Sequence, residues 1–207
     1  MRANLVEANG ELDELDAWLS YLHTGTVPKG WRGTERIWNR REFTVYTLYI
    51  SLEHAYHHVN FAWNSRFYPA KRVVACAQGD FRKWERFPAD FGRLMPRRMS
   101  HPAREVYKGR LDYFNLQRMI REATMFLEST IAEIDGILKG DTACSDDAFA
   151  RDIELTLAHL NMAWHCRRYD IERRIELGCK MSNVNRWQKY PREFTRFCDC
   201  GFIQKSL

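Results

Sequence analysis

Long hydrophobic runs are missing from this 207-residue chain. No apolar stretch approaches the roughly 18 residues that span a bilayer, so no membrane partner is expected. No secretory signal is expected in MRANLVEANGELDELD, which turns acidic by Glu7 and holds no apolar core segment. The six cysteines are then expected as free thiols in a reducing compartment, and the expected location is the cytoplasm. No Gly-rich phosphate loop, nucleophile elbow or zinc-finger spacing occurs.

Metal-site patterns fail one by one. His54 and His58 stand four apart beside Glu53, which suits two ligands on one helix face. A metalloprotease helix, however, needs Glu directly after the first His, and Ala55 stands there. A ferritin-like site needs His three residues after Glu, and position 56 is Tyr. Cys198-Asp-Cys200 lacks a second pair at finger spacing. Glu11, Glu14 and Asp16 with Glu53 also fall short of all-α nucleotide pyrophosphohydrolases, which need carboxylates three apart on both helices. No metal, no cofactor and no family is assigned.

What the chain does have is a repeated segment. EHAYHHVNFAWNSRFY, residues 53–68, returns as ELTLAHLNMAWHCRRY, residues 154–169, with seven of sixteen positions identical. The identities are Glu53/Glu154, His58/His159, Asn60/Asn161, Ala62/Ala163, Trp63/Trp164, Arg66/Arg167 and Tyr68/Tyr169. Apolar positions between them have drifted, as Val59 against Leu160. Further on, Trp84-Glu-Arg-Phe-Pro matches Trp187-Gln-Lys-Tyr-Pro, and Cys76 meets Cys179 as an expected small core residue. Charge repeats as well: residues 1–27 carry one Arg against five acids, and 66–110 carry twelve Lys/Arg against four. Residues 120–160 carry three against nine, and 161–207 ten against five.

Periodicity makes these segments helices. Leu12, Leu15, Leu19 and Leu22 recur at steps of three and four, predicting a helix over 5–22 that stops at Gly25, with Asn9 a possible N-cap. Residues 114–138 predict its counterpart, stopped by Gly140. Residues 43–51, FTVYTLYIS, are β-branched and aromatic enough for a strand. Their continuation and their duplicate, DAFARDIELTLAHL, read as helix, so helix is expected, with Ser145 capping the second copy.

The expected fold is therefore all-α: one compact domain over residues 1–207, a helical bundle of two tandem repeats (about 1–112 and 113–207) related by a pseudo-twofold. With 45% hydrophobic residues it has enough apolar mass for a core. A helical wheel puts Glu53 and Asn60 on one flank of the apolar stripe, His58 on the other, and Arg66 near its end. Our first expectation is structural: these groups satisfy one another or the backbone at the seam between halves. The functional alternative is a binding pocket lined by Glu53, His58, Asn60, Trp63 and Arg66 with Glu154, His159, Asn161, Trp164 and Arg167.

Three functions follow in order. The first is a helical adaptor or regulator with a protein partner. The second is nucleic-acid binding through Arg82, Lys83, Trp84, Arg86, Arg97, Arg98, Arg186, Trp187 and Lys189, cations beside aromatics that suit phosphate contact and base stacking. Each Trp there is otherwise a core anchor within a solvated cationic rim. The third is an enzyme on a small anionic substrate, with His58 and His159 as acid and base and the two arginines as clamps.

Overall fold

The structure, a computed structural model, describes residues 1–26, 43–86, 111–140, 146–178 and 180–189. Among these residues the chain is all-helical, without strands. Eight helices follow in order: α1 (Arg2–Thr24), α2 (Val45–Ser65), α3 (Ala70–Ala75), α4 (Gln78–Trp84), α5 (Tyr113–Lys139), α6 (Asp146–Cys166), α7 (Ile171–Gly178) and α8 (Met181–Trp187).

The long helices bury one stripe each. In α1 the buried set is Leu5, Ala8, Leu12, Leu15, Leu19 and Leu22, with Ala17 beside it. In α5 the stripe runs Leu116, Ile120, Ala123, Leu127, Thr130 and Ile134. Steps of three and four keep such a seam facing neighbouring helices in a bundle. Each fully buried Leu contributes about 2–3 kcal/mol. Both helices end at a glycine in the left-handed region, Gly25 at φ 78° and Gly140 at φ 79°. A side chain is strained there, which is why glycine ends these helices.

Asn9 does not cap α1. The helix starts at Arg2 and passes through Gly10, at a cost of about 1 kcal/mol relative to Ala that packing on both sides outweighs. Residues 45–51 are helical, and α2 begins two residues after Phe43 because Thr44 and Thr47 close a reciprocal cap. Val45, Leu48, Tyr49 and Leu52 are buried at helical spacing, so burial overrides the strand propensity of this run. Asp112 caps α5 through the Asn115 amide at 2.8 Å. Asp146 and Asp147 sit in the first turn of α6, on the positive end of its dipole. Ser145 lies outside the described residues.

Pairwise contacts fix how the long helices lie. Asn4 meets His58 and Glu11 meets His54, so α1 and α2 run antiparallel. Glu122 meets His159 while the Asp112 amide donates to the Arg167 carbonyl at 2.9 Å, which makes α5 and α6 antiparallel too. Arg121 grips Asp16 at 2.8 Å and Arg2 pairs with Asp135, setting α1 against α5. Finally Trp63 stacks on Phe149 and Trp164 meets Tyr49 edge-on, which sets α2 against α6. The four long helices form a ring in the order α1, α2, α6, α5, and their buried faces join one core. The short helices sit at the ends, α4 against α2 and α8 against α6. No described helix is long and apolar enough to cross a membrane.

Candidate functional site

The two asparagines shared by α2 and α6 perform the same task. Asn60 is 2% exposed and its amide donates to the Glu85 carbonyl at 3.1 Å. Asn161 is 0% exposed and donates to the Gln188 carbonyl at 2.6 Å. Glu85 and Gln188 each follow the matched tryptophans Trp84 and Trp187 by one residue. One turn along, Asn64 donates to the carbonyls of Trp84 and Arg86, at 2.9 and 2.6 Å. His165 stands at that place in α6, with Nε2 2.9 Å from the Lys189 carbonyl. Last-turn carbonyls of a short helix have no partner within the helix. These side chains supply one and so tie α4 to α2 and α8 to α6.

The two arginines also match. Arg66 lies 3.7 Å above the Trp63 ring and donates to the Trp63 carbonyl at 2.8 Å. Arg167 lies 3.9 Å above Trp164 and donates to its carbonyl at 2.5 Å. One guanidinium thus closes the end of its own helix and stacks on an indole, an arrangement worth on the order of 1–2 kcal/mol. Trp63 and Trp164 are 4% and 0% exposed, because each is wedged against the opposite half.

The matched glutamates and histidines diverge. Glu53 is 3% exposed and accepts from the Tyr49 hydroxyl at 3.0 Å, and burial pushes its carboxyl up to about 7. Glu154 is only half-buried. His58 faces α1, with Nδ1 3.4 Å from Asn4 Oδ1, and burial lowers its pKa. His159 faces α5, with Nδ1 2.8 Å from the Leu155 carbonyl and Nε2 3.4 Å from Glu122. The two histidines pack against different helices and do not converge on one pocket.

The three-histidine cluster has a local role. His57 packs among His58, Phe61 and Phe81, at 5.1 to 6.0 Å between ring centroids, and so joins α2 to α4. Burial, then the neighbouring His58 and His54, lowers its pKa to about 3. Among the described residues no three His, Cys, Asp or Glu side chains come together as a metal site.

Among the nucleic-acid candidates, the two tryptophans are core anchors. Trp84 is 0% and Trp187 2% exposed, each packed against its matched tyrosine, Tyr68 at 5.1 Å and Tyr169 at 5.9 Å. Neither indole is open to stacking on a base. Arg82, Lys83, Arg86 and Arg186 are exposed around them, and Lys189 is half-buried. Arg97, Arg98, Pro88, Pro191, Cys179 and the Cys198/Cys200 pair lie outside the described residues. Cys76 is half-buried rather than in the core, whereas Cys166 is buried and its thiol is pushed up to about 12. One groove of about 340 Å³ runs along the outer face of α5 between Phe114 and Met125, lined by Arg118 and Arg121. Sequence reasoning did not identify it, because it consists of side chains on the polar face of a helix.

Compared with known proteins, the chain matches no protein-family profile, no curated protein and no solved structure.

Proposed function

We propose that the chain is a duplicated helical unit, its halves related by a pseudo-twofold, that serves in the cytoplasm as a small non-catalytic binding or adaptor protein. One observation carries this reading. Two of the polar pairs common to both halves have matching partners within the fold, Asn60 and Asn161 with helix-end carbonyls and Arg66 and Arg167 with their own tryptophans. Residues held this way explain their persistence in both copies without a substrate, because a buried amide or cation needs fixed partners. An enzyme would need the histidines and arginines of the two halves to meet. His58 and His159 instead face α1 and α5. Binding then falls to the outer surface.

Thermal melts of Asn60→Ala and Arg66→Ala test the reading. Losing the amide leaves the Glu85 carbonyl without its donor, so Asn60→Ala should lower stability by about 1–3 kcal/mol. If both variants melt like the parent, these residues are held for a ligand and the reading fails.

A further inference from the structure

Among the described residues, the edge of the first half beyond α2 carries more exposed cations than acids. The described part of this edge has two acids, one half-buried and paired and the other buried. Asp80 is held by two arms of the Arg72 guanidinium at 2.7 and 2.8 Å. Glu85 is 5% exposed. Lys71, Arg82, Lys83 and Arg86 are all exposed, and none has an ion-pair partner among the described residues. Lys83 does reach the Tyr68 hydroxyl at 3.1 Å, which fixes α4 beside the turn that follows α2. The matched edge of the second half also carries exposed cations, Arg168, Lys180 and Arg186 among them, but it mixes exposed acids with them and has Arg168 where Phe67 stands. Asp170, Glu172 and Glu176 are exposed there, and Arg173 is paired with Glu176 at 2.5 Å.

One aromatic ring stands out from the cationic edge. Phe67, in the turn between α2 and α3, is 77% exposed. The Arg66 guanidinium lies 4.3 Å from its ring centroid while stacking on Trp63 at 3.7 Å. A ring presented to water beside a fixed cation, in a protein that buries the nearby Trp63, is placed for a flat partner.

The geometry points to this edge as a binding surface for single-stranded nucleic acid, with the cations on phosphates and Phe67 against one base. This rests on reading the chain as a binding protein and names the partner's chemistry. Phosphate contacts supply the sequence-independent part of such binding. Stacking on a protruding ring requires an exposed base face, which a strand offers and a duplex withholds. Trp84 takes no part, because it is the core anchor that holds the edge in place.

The test is fluorescence anisotropy of the whole protein with a labelled oligothymidylate of about 16 nucleotides, titrated between about 50 and 200 mM salt. Four phosphate contacts predict a log–log salt slope of roughly −3 and a loss of affinity of about 50-fold across that range. Phe67→Ala should weaken binding roughly ten-fold at an unchanged slope, because it removes stacking and not charge. Arg82→Glu with Lys83→Glu should flatten the slope by roughly 1.4. All three side chains are exposed or at the surface, and a melt of each variant checks that the fold is intact. Absence of binding at low salt overturns the proposal. So does equal binding of polyglutamate or of phosphatidylserine vesicles, or indifference of the oligonucleotide to Phe67→Ala. A failed titration beside a destabilised Asn60→Ala overturns this partner and leaves the non-catalytic reading standing. Parent-like melts of Asn60→Ala and Arg66→Ala strike that reading itself.

Discussion

Tyr56 donates its hydroxyl to Asn161 Oδ1 across the contact between α2 and α6, with both side chains almost fully buried. The position matched to Tyr56 in α6 is Leu157, which has nothing to donate. Asn60 Oδ1 accordingly has no hydrogen-bond partner among the described residues, although its amide side is satisfied. Two identical asparagines therefore stand in unequal surroundings, one with its amide and carbonyl both paired and one with its amide alone.

Tyr56→Phe isolates that difference. It keeps the ring and removes the donor, leaving Asn161 Oδ1 buried and unpaired, so stability should drop by about 1–3 kcal/mol in a denaturant titration. Combined with Asn161→Ala, the losses should fall short of their sum, because the second change deletes an interaction already broken. Strict additivity would show that the hydroxyl is not bonded to this asparagine in solution.

Gly10→Ala should stabilise the protein. Gly10 lies within α1, and a Cβ built there meets no atom within 4 Å. Alanine gains helix propensity and narrows the unfolded ensemble, together worth about 0.5–1 kcal/mol. A lowered melting temperature would mean that the exposed side of α1 is occupied at this point.

Acid and neutral pH should act on two different residues of α2. His57 is lowered from 6.5 to about 3, so the fold favours its neutral form. Its contribution is complete above pH 6.5 and is lost as pH falls towards 3. Glu53 is raised from 4.5 to about 7, so the fold favours the protonated carboxyl, and stability is lost as pH rises from 4.5 through 7. Over their full ranges the effects are on the order of 3 kcal/mol for Glu53 and 5 kcal/mol for His57. His54 paired with Glu11, and His58 beside Asn4, are the groups nearest this stretch on the α1 side. Denaturation midpoints between pH 4 and 8 check the assignment. His57→Ala, which copies Ala158, should remove the acid limb, and Glu53→Gln the neutral one. Parallel curves for parent and both variants would count against it.

The helices were legible because burial leaves a mark at fixed spacing. Leu12, Leu15, Leu19 and Leu22 announce α1, and Gly25 and Gly140 mark where two helices end. FTVYTLYIS became readable only through its duplicate, since Val, Tyr and Ile suit a half-buried surface of either kind. The asparagine partners were not legible. They are carbonyls 25 and 27 residues downstream, and every residue has a carbonyl, so no side chain signals the bond. Arg82-Lys83-Trp84-Glu85-Arg86 left the place of its indole open for a related reason. Cations around a Trp look alike whether the indole faces solvent or packs on Phe61 and Tyr68, and those two come from another helix and a turn.

The connection between paired helices differs greatly in the two halves. Residues 25–44 separate α1 from α2, whereas residues 140–145 separate α5 from α6. Loop-closure entropy grows with the logarithm of loop length, so drawing α1 and α2 together costs about 1 kcal/mol more than the same step in the second half. Contacts between halves, such as Trp63 with Phe149, bridge about a hundred residues and repay their ordering only once both hairpins exist. By loop length alone the α5–α6 hairpin is thus the cheaper of the two to close, which would let it serve as the template for the amino-terminal one.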